Sequence, residues 1–523
     1  MVDFNRNSLI GKLHKTEVWD IIIIGGGATG LGIALDSASR GYCTLLLEQS
    51  DFAKGTSSRS TKLIHGGVRY LAQGNIKLVY TALHERGILI RNATHLIKRQ
   101  CFIIPCFNLF AKLKYLAGLK IYDLLSGKFS FGKSKGLNRM QVKKLLPGII
   151  AKNLTGGIEY FDGQFDDARL AINLAQTCVE HGGIVLNYFK VTRLLKENEK
   201  ICGVIAVDSE SGREYNFKAK VVINATGVFV DDVLKMDQPE TKLLVKPSQG
   251  IHLVFSKHFL NSNSALMIPK TSDGRVLFAI PWHDHVLVGT TDTPLDNNSI
   301  EPKPLRKEIN FILETIKEYW INSPKEKDIL SVFAGLRPLA APQKNTGSTK
   351  EISRDHKLIV SASGLITITG GKWTTYRKMA EETMDKAISA GNLKWVGCLT
   401  KNLKIHGCTG IHSESHLNIY GADEEKIREL IKQNPSRGEK LIDGFPHTLA
   451  EVILAVRYEM ARTIEDVLAR RIRILFLDAK AAIQAAPKVA EIMAQELNYD
   501  EDWERLQLID FIKLAQGYLP SAD

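Results

Sequence analysis

Gly25, Gly27 and Gly30 stand at the G-x-G-x-x-G spacing inside the stretch DIIIIGGGATGLGIALDSASRGYCTLLLE, which closes on Glu48. Each missing side chain has a use: a tight turn, close approach of backbone to a pyrophosphate, and close packing of a helix on a strand. An acid about 20 residues beyond such a turn reaches a ribose, and a carboxylate there repels a 2′-phosphate. Together these residues specify dinucleotide binding. A second glycine pair, Gly370-Gly371, precedes Lys372, so a cation and a helix N-terminus meet where they stabilise negative charge. Two further groups carry chemistry of their own. Arg337 precedes Pro338, which drives it into an extended conformation, and a guanidinium fork grips phosphate bidentately. His252, in GIHLVF, has the side chain whose ordinary pKa suits removal of a hydroxyl proton.

These residues need elements to position them. Residues 21–24 are four consecutive isoleucines, a strand with no polar face that belongs inside a sheet covered on both sides. A helix over 28–40, ended by Gly41, aims its first N–H groups at phosphate, and a second strand over 42–47 carries Glu48. The loop over 49–62 is dense in hydroxyls and contains Thr56, Ser57, Ser58 and Lys62. It is either a solvated loop or a cover for the far end of a long dinucleotide. In LIHGGVRY, residues 63–70, Gly66 and Gly67 permit close backbone approach, with Arg69 just beyond.

Helices are expected over 76–97 and 168–181, and strands over 184–188 and 219–224, the last running into Ala225-Thr226-Gly227. A second small-residue corner beside the ligand fits a flavin dinucleotide better than the crossover of a bare Rossmann domain. Short strands at 251–256, 276–281, 286–290 and 331–334 predict an antiparallel substrate cap. A strand at 365–369 and a helix over 372–390 then return to the α/β pattern. Beyond residue 400 the periodicity is helical, at 422–433, 447–461, 463–477, 479–497 and 501–516, with Thr463 and Asp466 as a capping box.

Lys and Arg number 69 against 57 Asp and Glu, a net charge of +12, which calls for an acidic partner. Most of the excess lies in residues 98–144, where eleven basic residues face a single acid, Asp123. Phe102, Ile103, Ile104, Phe107, Leu109, Phe110, Tyr115, Leu116, Leu119 and Tyr122 are interleaved with them. Cations beside apolar anchors predict a segment lying on an anionic membrane surface; a solvated basic helix is the alternative. No recognition helix, RNP-like strand or zinc module accompanies the charge, so no nucleic acid is expected. The seven cysteines are scattered and never spaced C-x-x-C, which argues for a reducing compartment and against a zinc site. No metal is expected. No secretory signal opens the chain and no apolar run is long enough to span a bilayer, so the expected location is cytoplasmic, peripheral on the inner face of the cytoplasmic membrane.

The motifs IIGGGATG, TSSRSTKLIHGGVRYL, FDGQFDDARL, VINATG, TSDGRV, GTTDTP, AGLRP, ITGGKWTTYR and ARRIRILFLD resemble those of the flavin-dependent, quinone-linked glycerol-3-phosphate dehydrogenases. The resemblance runs from about residue 19 to the C-terminal helices and is nearer the mitochondrial type, without a D-x-D-x-D-G calcium loop. It implies an α/β fold: a Rossmann-like FAD-binding domain (16–75, 150–240 and 345–390), an antiparallel β cap of the D-amino-acid-oxidase/glutathione-reductase kind (76–149 and 241–344), and a C-terminal α-helical domain (400–523). It implies oxidation of sn-glycerol 3-phosphate to dihydroxyacetone phosphate, with hydride passing to N5 of FAD and electrons to a membrane quinone. A homodimer is possible.

Site roles follow by matching position. His252, Arg337 and Lys372 are the catalytic candidates, with His65 a second choice for base that better suits holding flavin. Arg69, Tyr70, Arg337 and Thr375 are the substrate contacts. FAD would lie against Gly25, Gly27, Gly30, Glu48, Thr56, Ser57, Ser58, Lys62, His65, Gly66, Gly67, Val191, Ala225, Gly227, Gly371, Lys372 and Thr374. One fingerprint leaves no second nucleotide site for NAD(P)H, so the substrate must be the reductant. The rival readings are a glycerol-3-phosphate oxidase using oxygen, an amine or amino-acid oxidase of the same fold, and a flavin-bearing nucleic-acid or membrane-binding protein.

Overall fold

A computed structural model describes residues 4–72, 74–340, 356–410 and 415–520. Among the described residues the chain builds two sheets of eight and ten strands. The isoleucine strand, Val18–Ile24, lies in the middle of the first sheet, parallel to Thr44–Leu47 on one side and Glu214–Asn224 on the other. Ile21, Ile22 and Ile23 are fully buried, as a strand with two apolar faces requires. Ile184–Leu186 extends the sheet beyond Thr44–Leu47, and Ile366–Thr369 beyond Glu214–Asn224. The strands at Phe189–Glu197 and Lys200–Asp208 form an antiparallel hairpin attached to Glu214–Asn224. Helix Ala28–Ser39 packs between helices Asp167–Glu180 and Tyr376–Ala390.

The second sheet is the cap. Val245–Ser256 runs antiparallel to Ser331–Ala340 on one side and His285–Gly289 on the other. The sheet continues through Leu277–Trp282 and Ala265–Ile268 to Ile97–Cys106 and Gly156–Phe165. Two expectations change here. The segment over 98–144 does not lie on the surface throughout: Ile97–Cys106 is an interior strand, and Phe102, Ile103 and Ile104 are core residues. Strand Gly156–Phe165, within the stretch assigned to the FAD-binding domain, pairs in the cap sheet. Both follow from one register, in which apolar residues of these two strands face each other across a ten-residue ladder.

In helix Leu109–Ser126 the basic segment carries large apolar side chains into solvent beside its lysines. It buries Leu119 and Tyr122 while leaving Phe110 and Leu124 each 79% exposed. No described helix is long and apolar enough to cross a membrane.

The C-terminal part is helical, through Glu424–Gln433, Leu449–Tyr458, Ala479–Leu497 and Glu501–Gln516. The single helix expected over 463–477 is broken into a π-helical turn, Asp466–Arg471, and one α-turn, Ile474–Leu477, with Arg473 left-handed between them (φ 66°). The capping box survives: Thr463 Oγ1 accepts from the Asp466 N–H at 3.2 Å and Asp466 Oδ2 accepts from the Thr463 N–H at 3.1 Å. The break has a physical cause. Successive residues of an α-helix point about 100° apart, yet Arg470 and Arg471 both grip Asp51, at 2.5 and 2.8 Å. A π turn, a frequent distortion at special sites, lets two neighbouring guanidinium groups meet one carboxylate. Burial pushes the Asp51 carboxyl up, but Arg471 and Arg470 outweigh it and hold it well below the usual carboxylate range.

Candidate active site

A cavity of about 930 Å³ separates the glycine turn from the cap sheet. Its floor is made by chain corners at the carboxyl ends of the parallel strands, where a doubly wound sheet binds ligands. Gly25 and Gly27 line it, as do Glu48, Val191, Ala225 and Gly227 from the neighbouring strand ends. Gly25 adopts φ +110° and a Cβ there would lie 2.8 Å from the Ala225 carbonyl oxygen. Gly30 faces away from the cavity; a Cβ on it would run into the carbonyl of Gly25, so it serves the close packing of helix on turn.

The Glu48 carboxylate accepts N–H bonds from Gly26 at 2.6 Å and Ser50 at 2.9 Å. Burial pushes its pKa up, partly offset by those two N–H groups. Ser57 Oγ accepts from the Ala28 N–H at 2.9 Å, at the mouth of the helix. Thr56 donates to the Leu336 carbonyl at 2.5 Å, tying the hydroxyl-rich loop to the cap. Thr374 Oγ1 accepts from the His65 N–H at 3.2 Å. Ala28, Glu48, Thr56, Ser57, His65 and Thr374 border the cavity, together with Gly67 and Gly371. A bare turn at a helix N-terminus and an acid at the strand tip, bordering a cavity of this size, fit FAD. When bound, FAD supplies a two-electron acceptor.

At the other end the cap contributes His252 and Arg337 from adjoining strands, Val245–Ser256 and Ser331–Ala340. Arg337 donates to Thr290 Oγ1 at 2.9 Å and to Asp292 Oδ1 at 3.3 Å. Asp292 is held by the Ser248 hydroxyl, and the lack of a side chain at Gly250 leaves the room in which the guanidinium lies. His252 is 2% exposed and shares a 3.0 Å hydrogen bond through Nε2 with the Thr61 hydroxyl. Its Nδ1 is buried with no hydrogen-bond partner. Burial first, then the charges of Lys62 and Arg337, hold the imidazole well below its ordinary pKa. It is therefore neutral, the form that accepts a proton. Lys372 Nζ sits 3.8 Å from the centre of the Tyr70 ring, and both line the cavity.

Besides Gly30, four expected contacts fall elsewhere. Lys62 is fully buried behind the cavity wall, donating to Asp167 at 2.7 Å and to the Ser58 carbonyl at 2.6 Å. Ser58 lies beside it, its own hydroxyl without a hydrogen-bond partner. Gly66 packs against Leu83 and gives its N–H to Tyr122 at 2.8 Å, turned from the cavity. Thr375 turns its hydroxyl back to the Lys372 carbonyl at 3.3 Å, because a 3-10 turn, Trp373–Thr375, precedes the helix. Lys372 accordingly caps that turn in an extended conformation, and the α-helix begins only at Tyr376. The side chain of Arg69 lies outside the described residues.

Sequence reasoning passed over Thr61, Asp292 and Ser248. Thr61 was visible as one hydroxyl of the loop and Asp292 as the acid of GTTDTP, but their partners are distant in sequence.

A family model described as FAD dependent oxidoreductase matches residues 20–377, and one described as the C-terminal domain of alpha-glycerophosphate oxidase matches residues 364–504. Over more than half its length, then, the chain is an FAD-dependent oxidoreductase. It is 40% identical to a probable mitochondrial glycerol-3-phosphate dehydrogenase of Caenorhabditis elegans, over 96% of this chain and 74% of that one. The human mitochondrial glycerol-3-phosphate dehydrogenase is 38% identical over 98% of this chain and 76% of its own. The solved glycerol-3-phosphate dehydrogenase of Bacillus halodurans, complexed with FAD, superposes with a TM-score of 0.82 at 28% identity, over 100% of both chains. The chain belongs to the glycerol-3-phosphate dehydrogenase family.

Proposed function

We propose that the protein oxidises sn-glycerol 3-phosphate to dihydroxyacetone phosphate, hydride passing from the carbinol carbon to FAD, and that the electrons leave to a membrane quinone. The observation that carries this reading is Arg337, held at the wall of an FAD-sized cavity by Asp292 and Thr290, in the same cavity as a neutral His252. In this reading Arg337 grips the phosphate, a strong charge-assisted contact. His252 takes the hydroxyl proton, and the arriving phosphate anion raises its basicity by offsetting Lys62 and Arg337. Lys372 supports negative charge near the glycine turn. Tyr70 flanks the substrate.

Helix Leu109–Ser126, exposing Leu109, Phe110, Leu113 and Leu124 beside Lys114 and Lys120, supports peripheral binding to an anionic membrane on the inner face of the cytoplasmic membrane. The test is an anaerobic titration of the purified yellow protein. Bleaching by sn-glycerol 3-phosphate, with glycerol and amino acids inert, is the expected result. No bleaching would overturn the substrate assignment. Reoxidation by a short-chain quinone much faster than by oxygen distinguishes dehydrogenase from oxidase.

A further inference from the structure

Outside the cavity, two histidines and a glutamate converge in the C-terminal helical part. His447 immediately precedes the N-cap of helix Leu449–Tyr458, Glu451 stands in its first turn, and His416 comes from a separate 3-10 segment, His416–Asp423. His447 Nδ1 is 2.9 Å from Glu451 Oε1, and His416 Nε2 is 3.3 Å from Glu451 Oε2. The three donor atoms lie within 4.8 Å of one another. The imidazole rings stand edge-on, 5.8 Å apart at 87°. We propose that His416, His447 and Glu451 bind a zinc ion.

The donor set is two imidazoles and one carboxylate, a combination that zinc accepts. Ligands at about 2.0–2.2 Å in a tetrahedron are spaced by roughly 3.3 Å, close to the two printed His–Glu separations. His416 is partly exposed and Glu451 fully buried, so a fourth ligand would enter from the His416 side. Crowding around the carboxylate supports the same conclusion. Glu451 already accepts from the Thr448 N–H at 2.6 Å, the Thr448 hydroxyl at 3.3 Å and the Tyr420 hydroxyl at 2.9 Å. A carboxylate offers about four acceptor positions, too few for these donors and two imidazole N–H groups as well. A cation shared by imidazole lone pairs and carboxylate resolves that conflict, and Thr448 and Tyr420 then act as the outer hydrogen bonds that orient a metal-bound carboxylate.

The consequence is a staple between segments distant in sequence. Tyr420 lies under the guanidinium of Arg169, 4.4 Å from its ring centre, and Arg169 pairs with Glu459. A metal at Glu451 would therefore stiffen the contact between helix Asp167–Glu180 and the helical part. The chain's cysteines gave no hint of it, because the ligands are brought together only by folding.

Chelator-treated holoenzyme should take up one equivalent of zinc in equilibrium dialysis with elemental analysis. Cobalt should give ligand-field bands beyond the flavin absorption. His447→Gln and His416→Gln should each lose the bound equivalent and the cobalt bands, and the zinc-induced rise in melting temperature with them. Tyr420→Phe should retain the equivalent with roughly tenfold weaker affinity. Uptake should weaken on acidification, since protons compete for the imidazole lone pairs. If wild-type protein takes up no zinc at roughly micromolar free metal, or if both histidine variants retain the equivalent, the proposal fails. Circular dichroism and flavin content of the variants show that each is folded.

Discussion

At the scale of single residues, the cap end of the cavity is governed by how Arg337 and His252 are held. Arg337→Met removes a charge-assisted contact worth about 2–3 kcal/mol, so kcat/KM for sn-glycerol 3-phosphate should fall by roughly a hundredfold while FAD content stays normal. Asp292→Asn leaves the guanidinium in place but less well anchored, and should raise KM by roughly tenfold with little change in kcat. Both are read by steady-state kinetics with an artificial dye. His252 makes a pH prediction. Because burial, Lys62 and Arg337 depress its pKa, kcat/KM should show no acid limb at the ordinary imidazole value of about 6.5; the limb should lie at lower pH. Replacing Lys62 together with its partner, Lys62→Met with Asp167→Asn, removes the nearer cation and should move that limb upward. A limb already near the ordinary value in the wild type would remove His252 as the base.

At the scale of elements, the glycine turn, its strand and its helix were legible because each local signal agreed with the next. Four isoleucines demand a covered strand, Gly27 and Gly41 bound the helix, and Glu48 ends the second strand. The errors arose where a partner far away in sequence decides the outcome. Lys62 was expected in the loop against FAD, but Asp167 and Arg473 make it part of a buried cluster; burial, then Arg473, bring its ammonium down to about 7. Residues 98–106 looked amphipathic, and pairing with Gly156–Phe165 puts Phe102, Ile103 and Ile104 in the core while Lys98 and Arg99 stay exposed. The regular helix expected over 463–477 yields to the demands of Asp51. What remains of the basic segment gives a clear prediction. Phe110→Glu with Leu113→Glu should abolish sedimentation with anionic vesicles, since each buried apolar side chain contributes about 1.5–3 kcal/mol, while dye-linked turnover is retained. Loss of turnover in parallel would mean that the helix is needed for the fold.

At the scale of the whole molecule, the helical part is fastened to the rest by ion pairs that respond to pH. His406 bridges Glu180 of helix Asp167–Glu180 and Asp423 at the head of Glu424–Gln433, at 2.5 and 2.9 Å. Burial lowers its pKa, but Asp423 and Glu180 outweigh this and raise it to about 9. A group with a raised folded-state pKa stabilises fully below its unfolded value of about 6.5 and loses that contribution as pH climbs through about 9. Urea unfolding should therefore show less stability at pH 9.5 than at about pH 6.5, by an amount of order 2–3 kcal/mol, and His406→Gln should flatten the difference. An unchanged pH slope in that variant would locate the alkaline loss elsewhere.

The clasp of Arg470, Arg471 and Arg473 on Asp51 and Asp167 also sets a schedule for biosynthesis. Asp51 leaves the ribosome 419 and 420 residues ahead of Arg470 and Arg471, and Asp167 leaves it 306 residues ahead of Arg473. Until then Asp51, destined for the interior, has neither guanidinium to neutralise it, and Asp167 has Lys62 alone, a state that costs several kcal/mol when such charges are dried. The nascent nucleotide-binding part must stay loosely packed and wet around Asp51, so cofactor capture belongs after these arginines have emerged.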